Sequence, residues 1–125
     1  MTSRDRWLVH IAPRAAWDVA QARGDYRAAS LDAEGFIHCS TPEQVLRVAD
    51  ARYAGQAGLV LLCIAAEAVA APIRYEDCYA SGEAFPHLYG PLNLEAVVEV
   101  VDFPPGAAGR FAMPPRAARI FQEAL

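Results

Sequence analysis

Two of the three histidines in this chain stand on short apolar segments, and the residues around them limit what chemistry they can do. His10 lies in Trp7-Leu8-Val9-His10-Ile11, and His38 in Gly35-Phe36-Ile37-His38-Cys39-Ser40-Thr41. An imidazole exchanges its proton near neutrality and also donates and accepts hydrogen bonds without a full charge, so it suits acid–base work or the holding of a polar ligand. Alone on its strand, each reads as a satisfied or half-exposed residue; a shared pocket would make the pair functional. His87 belongs to Phe85-Pro86-His87-Leu88-Tyr89, within residues 79–93, a stretch with no periodicity that holds two Gly and two Pro. Read as a long ordered loop, it is either functional or an aromatic-plugged surface segment.

Side chains alternate across a strand, so Phe36, His38 and Ser40 share one face and Ile37, Cys39 and Thr41 the other. His10 shares its face with Leu8 and Ala12. Ser40 and Thr41 stand where a helix begins, and free N–H groups there attract anions, although an ordinary cap accounts for the same residues. A metal site could be drawn from His10, His38 and His87, but no spacing places them together and no His-x-x-x-His or Cys-x-x-Cys is present, so no metal is expected. For a Cys–His nucleophile only Cys78 with His87 remains, because Cys39 points away from its neighbour His38.

These residues are positioned by an alternation of strands and helices. Residues 7–11 read as a strand, Pro13 opens a helix that runs over 15–23, and Gly24 stops it. Residues 26–34 read as a connection, and Gly35 opens the second strand. Thr41-Pro42-Glu43-Gln44 is a capping-box signature: Thr as N-cap, Pro at the first helical position and Gln three residues after the cap. The helix that follows ends by Gly55. Residues 59–64, Leu-Val-Leu-Leu-Cys-Ile, have no polar alternation and predict a central strand buried on both faces. Residues 73–77 read as a short edge strand and 94–103 as a longer one. Pro114-Pro115 precedes a last helix over 116–125. This pattern is α+β.

With 125 residues, the chain has the length of one domain, with a core over about 6–104 and a C-terminal extension over 105–125. At 54% hydrophobic and 21% charged residues it can bury enough apolar surface to fold. A formal charge of −4 argues against duplex nucleic acid, whose binding draws on Lys and Arg against phosphates. The arginines cluster early, from Arg4 to Arg27, so a small anionic ligand is easier to accommodate. The charged start and the absence of an apolar run near the roughly 20 residues of a membrane helix predict a soluble cytoplasmic protein with no membrane partner. Cys39, Cys63 and Cys78 read as free thiols. Nucleotide-binding Gly-x-Gly-x-x-Gly, phosphate-loop and Gly-x-Ser-x-Gly motifs are missing, which disfavours doubly wound nucleotide folds and serine hydrolases. Oligomeric state is not specified.

Taken together, Val9-His10-Ile11, the stretch from Glu34 through Gly35-Phe36-Ile37-His38-Cys39-Ser40-Thr41-Pro42-Glu43-Gln44, and Phe85-Pro86-His87-Leu88-Tyr89-Gly90-Pro91-Leu92 resemble the bacterial family called domain of unknown function 952. The likeness extends to about Pro104. That family is similar to the ADP-ribosyltransferase fold, including RNA 2′-phosphotransferases, which hold NAD or a phosphorylated RNA in a cleft between two small sheets. The resemblance implies a compact single domain with small mixed or antiparallel sheets and two or three helices. It implies NAD as cofactor or another small anionic nucleotide-type ligand, with His10, His38 and His87 as catalytic candidates. Ser40, Thr41, Arg14, Phe85 and Tyr89 are the candidate binding residues. Transferases of this fold carry a Glu on a later strand, where this chain has Asn93, Leu94 and Glu95; Glu83 is the other candidate. Besides an ADP-ribosyltransferase-like or phosphotransferase-like enzyme, a non-catalytic small-ligand or partner-binding module and a metal-dependent hydrolase stay open.

Overall fold

The computed structural model describes residues 6–122. Its two most apolar runs pair with each other: β1 (Trp7–Pro13) lies antiparallel to β4 (Leu59–Ala65), with Trp7 opposite Ala65 and Pro13 opposite Leu59. The other edge of β4 takes β8 (Val97–Asp102), which makes β4 the centre of a three-stranded antiparallel sheet. All six residues from Leu59 to Ile64 are buried, as their unbroken apolar run predicts. Alternation divides them between two cores. Val60, Leu62 and Ile64 pack with Leu8, Ala12 and Ile37, whereas Leu61 and Cys63 pack with Val9, Ile11 and Val45.

A second antiparallel sheet has the order β3 (Ile37–His38), β6 (Phe85–Leu88), β5 (Ile73–Glu76). In it His38 stands opposite His87, which stands opposite Arg74 on the far side. The two sheets are joined where Val9 and Ser40 exchange N–H to carbonyl bonds, both 2.8 Å. A two-stranded ribbon, β2 (Asp25–Tyr26) with β7 (Leu92–Asn93), closes one end. The helices are α1 (Arg14–Arg23), α2 (Ala29–Glu34), α3 (Val45–Arg52) and α4 (Pro115–Gln122). Phe111 and Ala117 bury against the outer core, and Phe121 sets its ring 6.1 Å from Trp7. The architecture is α+β, with all strand pairs antiparallel and four helices among the described residues where two or three were expected. No helix among these residues is long and apolar enough to cross a membrane.

Several elements differ from their sequence reading. Residues 26–34 are not a plain connection but hold the end of β2 and all of α2; that helix buries none of its residues, so no apolar stripe announces it. Gly35 does not open a strand. It caps α2 in the left-handed region at φ 90°, its N–H bonded to the Leu31 carbonyl. α3 starts at Val45 rather than straight after Thr41, because the Gln44 amide completes only half of the capping box. Its Oε1 accepts from the Thr41 N–H at 3.0 Å, while its Nε2 donates to Glu83 and to the Ala84 carbonyl. The stretch 79–93 contains β6 and β7. Pro86 concealed β6, since a residue without an N–H argues against a central strand; here its carbonyl accepts from Cys39 N–H at 3.0 Å and the ladder continues. Leu94–Ala96 forms a 3₁₀ turn before β8 begins, and α4 is described only to Gln122, so positions 123–125 of the expected last helix lie outside the described residues.

Candidate functional site

Where β1 meets the second sheet, the Val9 to Ser40 bridge leaves a cavity of about 320 Å³. His10 reaches it from the face of β1 that carries Leu8 and Ala12. Ser40 and His38 reach it from the segment after Gly35, and His87 and Phe85 from β6. Tyr26, Tyr53 and Tyr79 add aromatic wall, and Arg52, at the end of α3, is the one arginine among the described lining residues. The Arg52 guanidinium lies 5.2 Å from the centre of the Tyr79 ring. No carboxylate is among the described lining residues.

His10 is fixed at both ring nitrogens. Nδ1 lies 2.6 Å from the His38 carbonyl oxygen and Nε2 lies 2.8 Å from the Tyr26 hydroxyl. A carbonyl only accepts, so Nδ1 carries the proton; Nε2 then accepts from the Tyr26 O–H. Burial, which disfavours the imidazolium, brings the His10 pKa down to about 4. Burial likewise raises Tyr26 well above the usual phenol range. At neutral pH this pair is uncharged and serves as an oriented polar floor rather than a proton shuttle.

His38 and His87 are neighbours across the β3–β6 pairing, their ring centres 5.1 Å apart and nearly perpendicular. The half-exposed His38 directs Nε2 to Glu34 at 3.1 Å. His87 is buried, stacked on Phe36 at 4.2 Å, and its Nδ1 lies 2.8 Å from Glu76 Oε1. Tyr89 donates its O–H to the same carboxylate oxygen at 2.6 Å, and these two hydrogen bonds hold the Glu76 carboxyl below the ordinary carboxylate range. His87 Nε2 has no hydrogen-bond partner among the described residues.

Five of the eight candidate residues therefore share one cavity: His10, His38, His87, Ser40 and Phe85. Thr41 is buried beside it, tied through its N–H to Gln44. Tyr89 stands behind Phe36, with its hydroxyl on Glu76. Arg14 is not a lining residue: it follows Pro13 of the cavity wall but is ion-paired with Asp102, near Gly58. Of the two acidic candidates, Glu83 is held by Arg47 and Gln44, and Glu95 sits on the turn before β8; neither is a lining residue. Cys39 lines the cavity, but burial pushes its thiol up to about 12, which leaves it inert as a nucleophile.

Sequence reasoning missed Tyr26, Arg52, Tyr53 and Tyr79 as walls of the cavity, and Glu76 as the partner of His87. Tyr26 carried a usable signal: a Tyr beside an otherwise polar Asp25-Tyr-Arg27 turn buries its ring only where its hydroxyl finds a partner. The others depend on how α3 and the 77–84 loop fold over the sheets.

The chain resembles solved structures of one protein, CC0527 of Caulobacter crescentus. Its crystal structure shares 36% identity with a TM-score of 0.80, covering 90% of this chain and 98% of that one; a double mutant of the same protein gives the same values. Its solution NMR structure shares 38% identity with a TM-score of 0.73, covering 83% of this chain and 90% of that one. No curated protein matches. The family described as "Protein of unknown function (DUF952)" matches residues 11–100, which include His38, Ser40, Phe85 and His87, and the chain belongs to that family.

Proposed function

We propose that the cavity is a nucleotide site of the ADP-ribosyltransferase kind, which takes NAD or ADP-ribose by one nucleoside half. One observation carries this reading: the first strand and the strand after Gly35 bring His10, His38 and Ser40 to a single cavity between two small sheets. Its roughly 320 Å³ lies at the lower end of ligand cavities, about 300 to 1,000 Å³, and suits a nucleoside rather than an enclosed dinucleotide. Tyr79 and Phe85 offer stacking surface to a planar, cationic nicotinamide, and Arg52 offers a charge to the phosphates that would remain outside. With its proton given to His10 Nε2, the Tyr26 hydroxyl oxygen is left to accept from a ribose hydroxyl. Three free thiols, Cys39, Cys63 and Cys78, suit a reducing cytoplasm.

Because the described lining holds no carboxylate, a second reading is a ligand-binding module without turnover. In transferases of this fold a Glu stabilises the positive charge that develops on the ribose, and no other described lining group replaces it. Calorimetric titration with NAD and ADP-ribose, followed by assay of released nicotinamide, separates the readings. Binding with release supports the enzyme; binding without release supports the module. Arg52→Ala is expected to weaken ADP-ribose binding about tenfold, the loss of one charge-assisted contact, with the melting temperature unchanged. Absence of binding by either nucleotide at millimolar concentration would overturn both readings.

A further inference from the structure

We propose that Glu76, Cys78 and His87 form a binding site for a zinc-class divalent cation beside the cavity, independent of the nucleotide reading. One donor atom from each, the Glu76 carboxylate oxygen, the Cys78 sulfur and His87 Nδ1, lies within 4.8 Å of the other two. Glu76 ends β5, and the turn that follows it brings Cys78, two residues on, back beside the same imidazole. His87 faces them from β6, the neighbouring strand of the sheet.

The spacing is close to that of a tetrahedral centre. Bond lengths to zinc place a nitrogen and a sulfur ligand about 3.6 Å apart and an oxygen and a nitrogen ligand about 3.3 Å apart. Here Nδ1 is 3.9 Å from the sulfur and 2.8 Å from the carboxylate oxygen, so shifts of about half an ångström would admit the ion. A hydrogen-bond network alone accounts for Glu76, His87 and Tyr89. The exposed Cys78 sulfur, 3.9 Å from the same Nδ1, adds a soft donor that this network does not need.

Two of the three donors are held in place by their neighbours. Burial and the Phe36 ring fix the plane of His87, and the Tyr89 hydroxyl fixes Glu76, as partners behind metal ligands do. Cys78 is exposed and gives the ion a way in. A mixed nitrogen, sulfur and oxygen donor set selects zinc over magnesium or calcium. Three protein donors leave one position for water or a substrate atom. Binding converts the Cys78 thiol to thiolate, releasing one proton to solvent. His87 exchanges its proton from Nδ1 to Nε2, freeing the Nδ1 lone pair for the ion and leaving an N–H donor at Nε2.

The test uses the reduced, metal-stripped full chain without nucleotide, so failure of the nucleotide reading leaves its result standing. Titration with zinc chloride is expected to show one ion per chain with release of about one proton. Cobalt(II) in its place should give a thiolate-to-metal charge-transfer band. Cys78→Ser should weaken zinc at least tenfold and abolish that band without altering the metal-free melting temperature, since Cys78 is exposed. Tyr89→Phe, which frees the Glu76 carboxylate, should weaken zinc roughly tenfold. No saturable binding, equal affinity in Cys78→Ser, or a cobalt spectrum without the thiolate band would each overturn the proposal.

Discussion

The Nδ1–H of His10 donates to the main-chain carbonyl of His38 at 2.6 Å, so the two histidines are coupled through a ring and a backbone group rather than ring to ring. One strand thereby fixes the orientation of the other at the point where the two sheets join. The contact also holds His10 in one tautomer, with Nε2 turned to Tyr26.

This arrangement makes stability depend on pH. His10 titrates at about 4 in the folded chain against 6.5 unfolded, so between these values the unfolded chain binds more protons and stability falls as pH falls. The contribution is complete above 6.5, begins to fade as pH drops through that value, and is gone below about 4. It amounts to about 3 kcal/mol. Urea unfolding at a series of pH values should show this loss in the native chain and not in His10→Gln. Carboxylates such as Glu76 and Asp77, whose titration is lowered, contribute to the acid loss in both chains and cancel in the difference.

Tyr26→Phe should keep the ring's packing and remove only the donor to His10 Nε2. The buried acceptor left behind costs about 1 to 2 kcal/mol. That hydrogen bond favours neutral His10, so the variant should also titrate His10 above its native value of about 4. NMR of the imbedded imidazole through an acid titration reads both the shift and its direction.

Gln44 joins the start of α3 to the loop before β6, accepting from Thr41 and donating to Glu83 and Ala84. Gln44→Ala should cost roughly 1 to 2 kcal/mol by stranding the buried Thr41 N–H. Tyr79 sits on that loop, so amide exchange over residues 78–84 should accelerate more than exchange in β4. Equal acceleration everywhere would show a global effect instead.

Gly35→Ala tests how sharply the turn before β3 is required. The position has φ 90°, and a Cβ there meets nothing within 4 Å, so strain rather than collision sets the cost. About 1 kcal/mol is expected, with the fold retained. A much larger loss in thermal unfolding would mean that the α2 cap controls the placement of His38.

Some of this fold was legible in particular residues. The uninterrupted run from Leu59 to Ile64 identified the central strand, since only burial on both faces tolerates it. The assignment of Ile37 and Cys39 to the core followed from alternation alone, and both are buried there. Other elements were hidden for physical reasons. α2 is short and buries none of its residues fully, with Leu31 only partly packed on the core, and β6 contains a proline whose missing N–H is harmless only because of which neighbour it meets. Arg14 was an anion-holder candidate by charge, yet at the start of α1 it pairs with Asp102 at the end of β8, which takes the charge instead.

By itself, the sequence determined the α+β class, the buried central strand and the histidine-bearing segments, because these follow from periodicity, turn residues and side-chain chemistry within a few positions of each other. Tertiary structure decided which histidines meet and through which atoms. It set His10 against the His38 carbonyl and Tyr26, paired His87 with Glu76 and Cys78, and placed Arg52 on the cavity. Those relationships join residues far apart in the chain and depend on the register of strand pairing, in which a slip of one residue would turn every side chain to the other face.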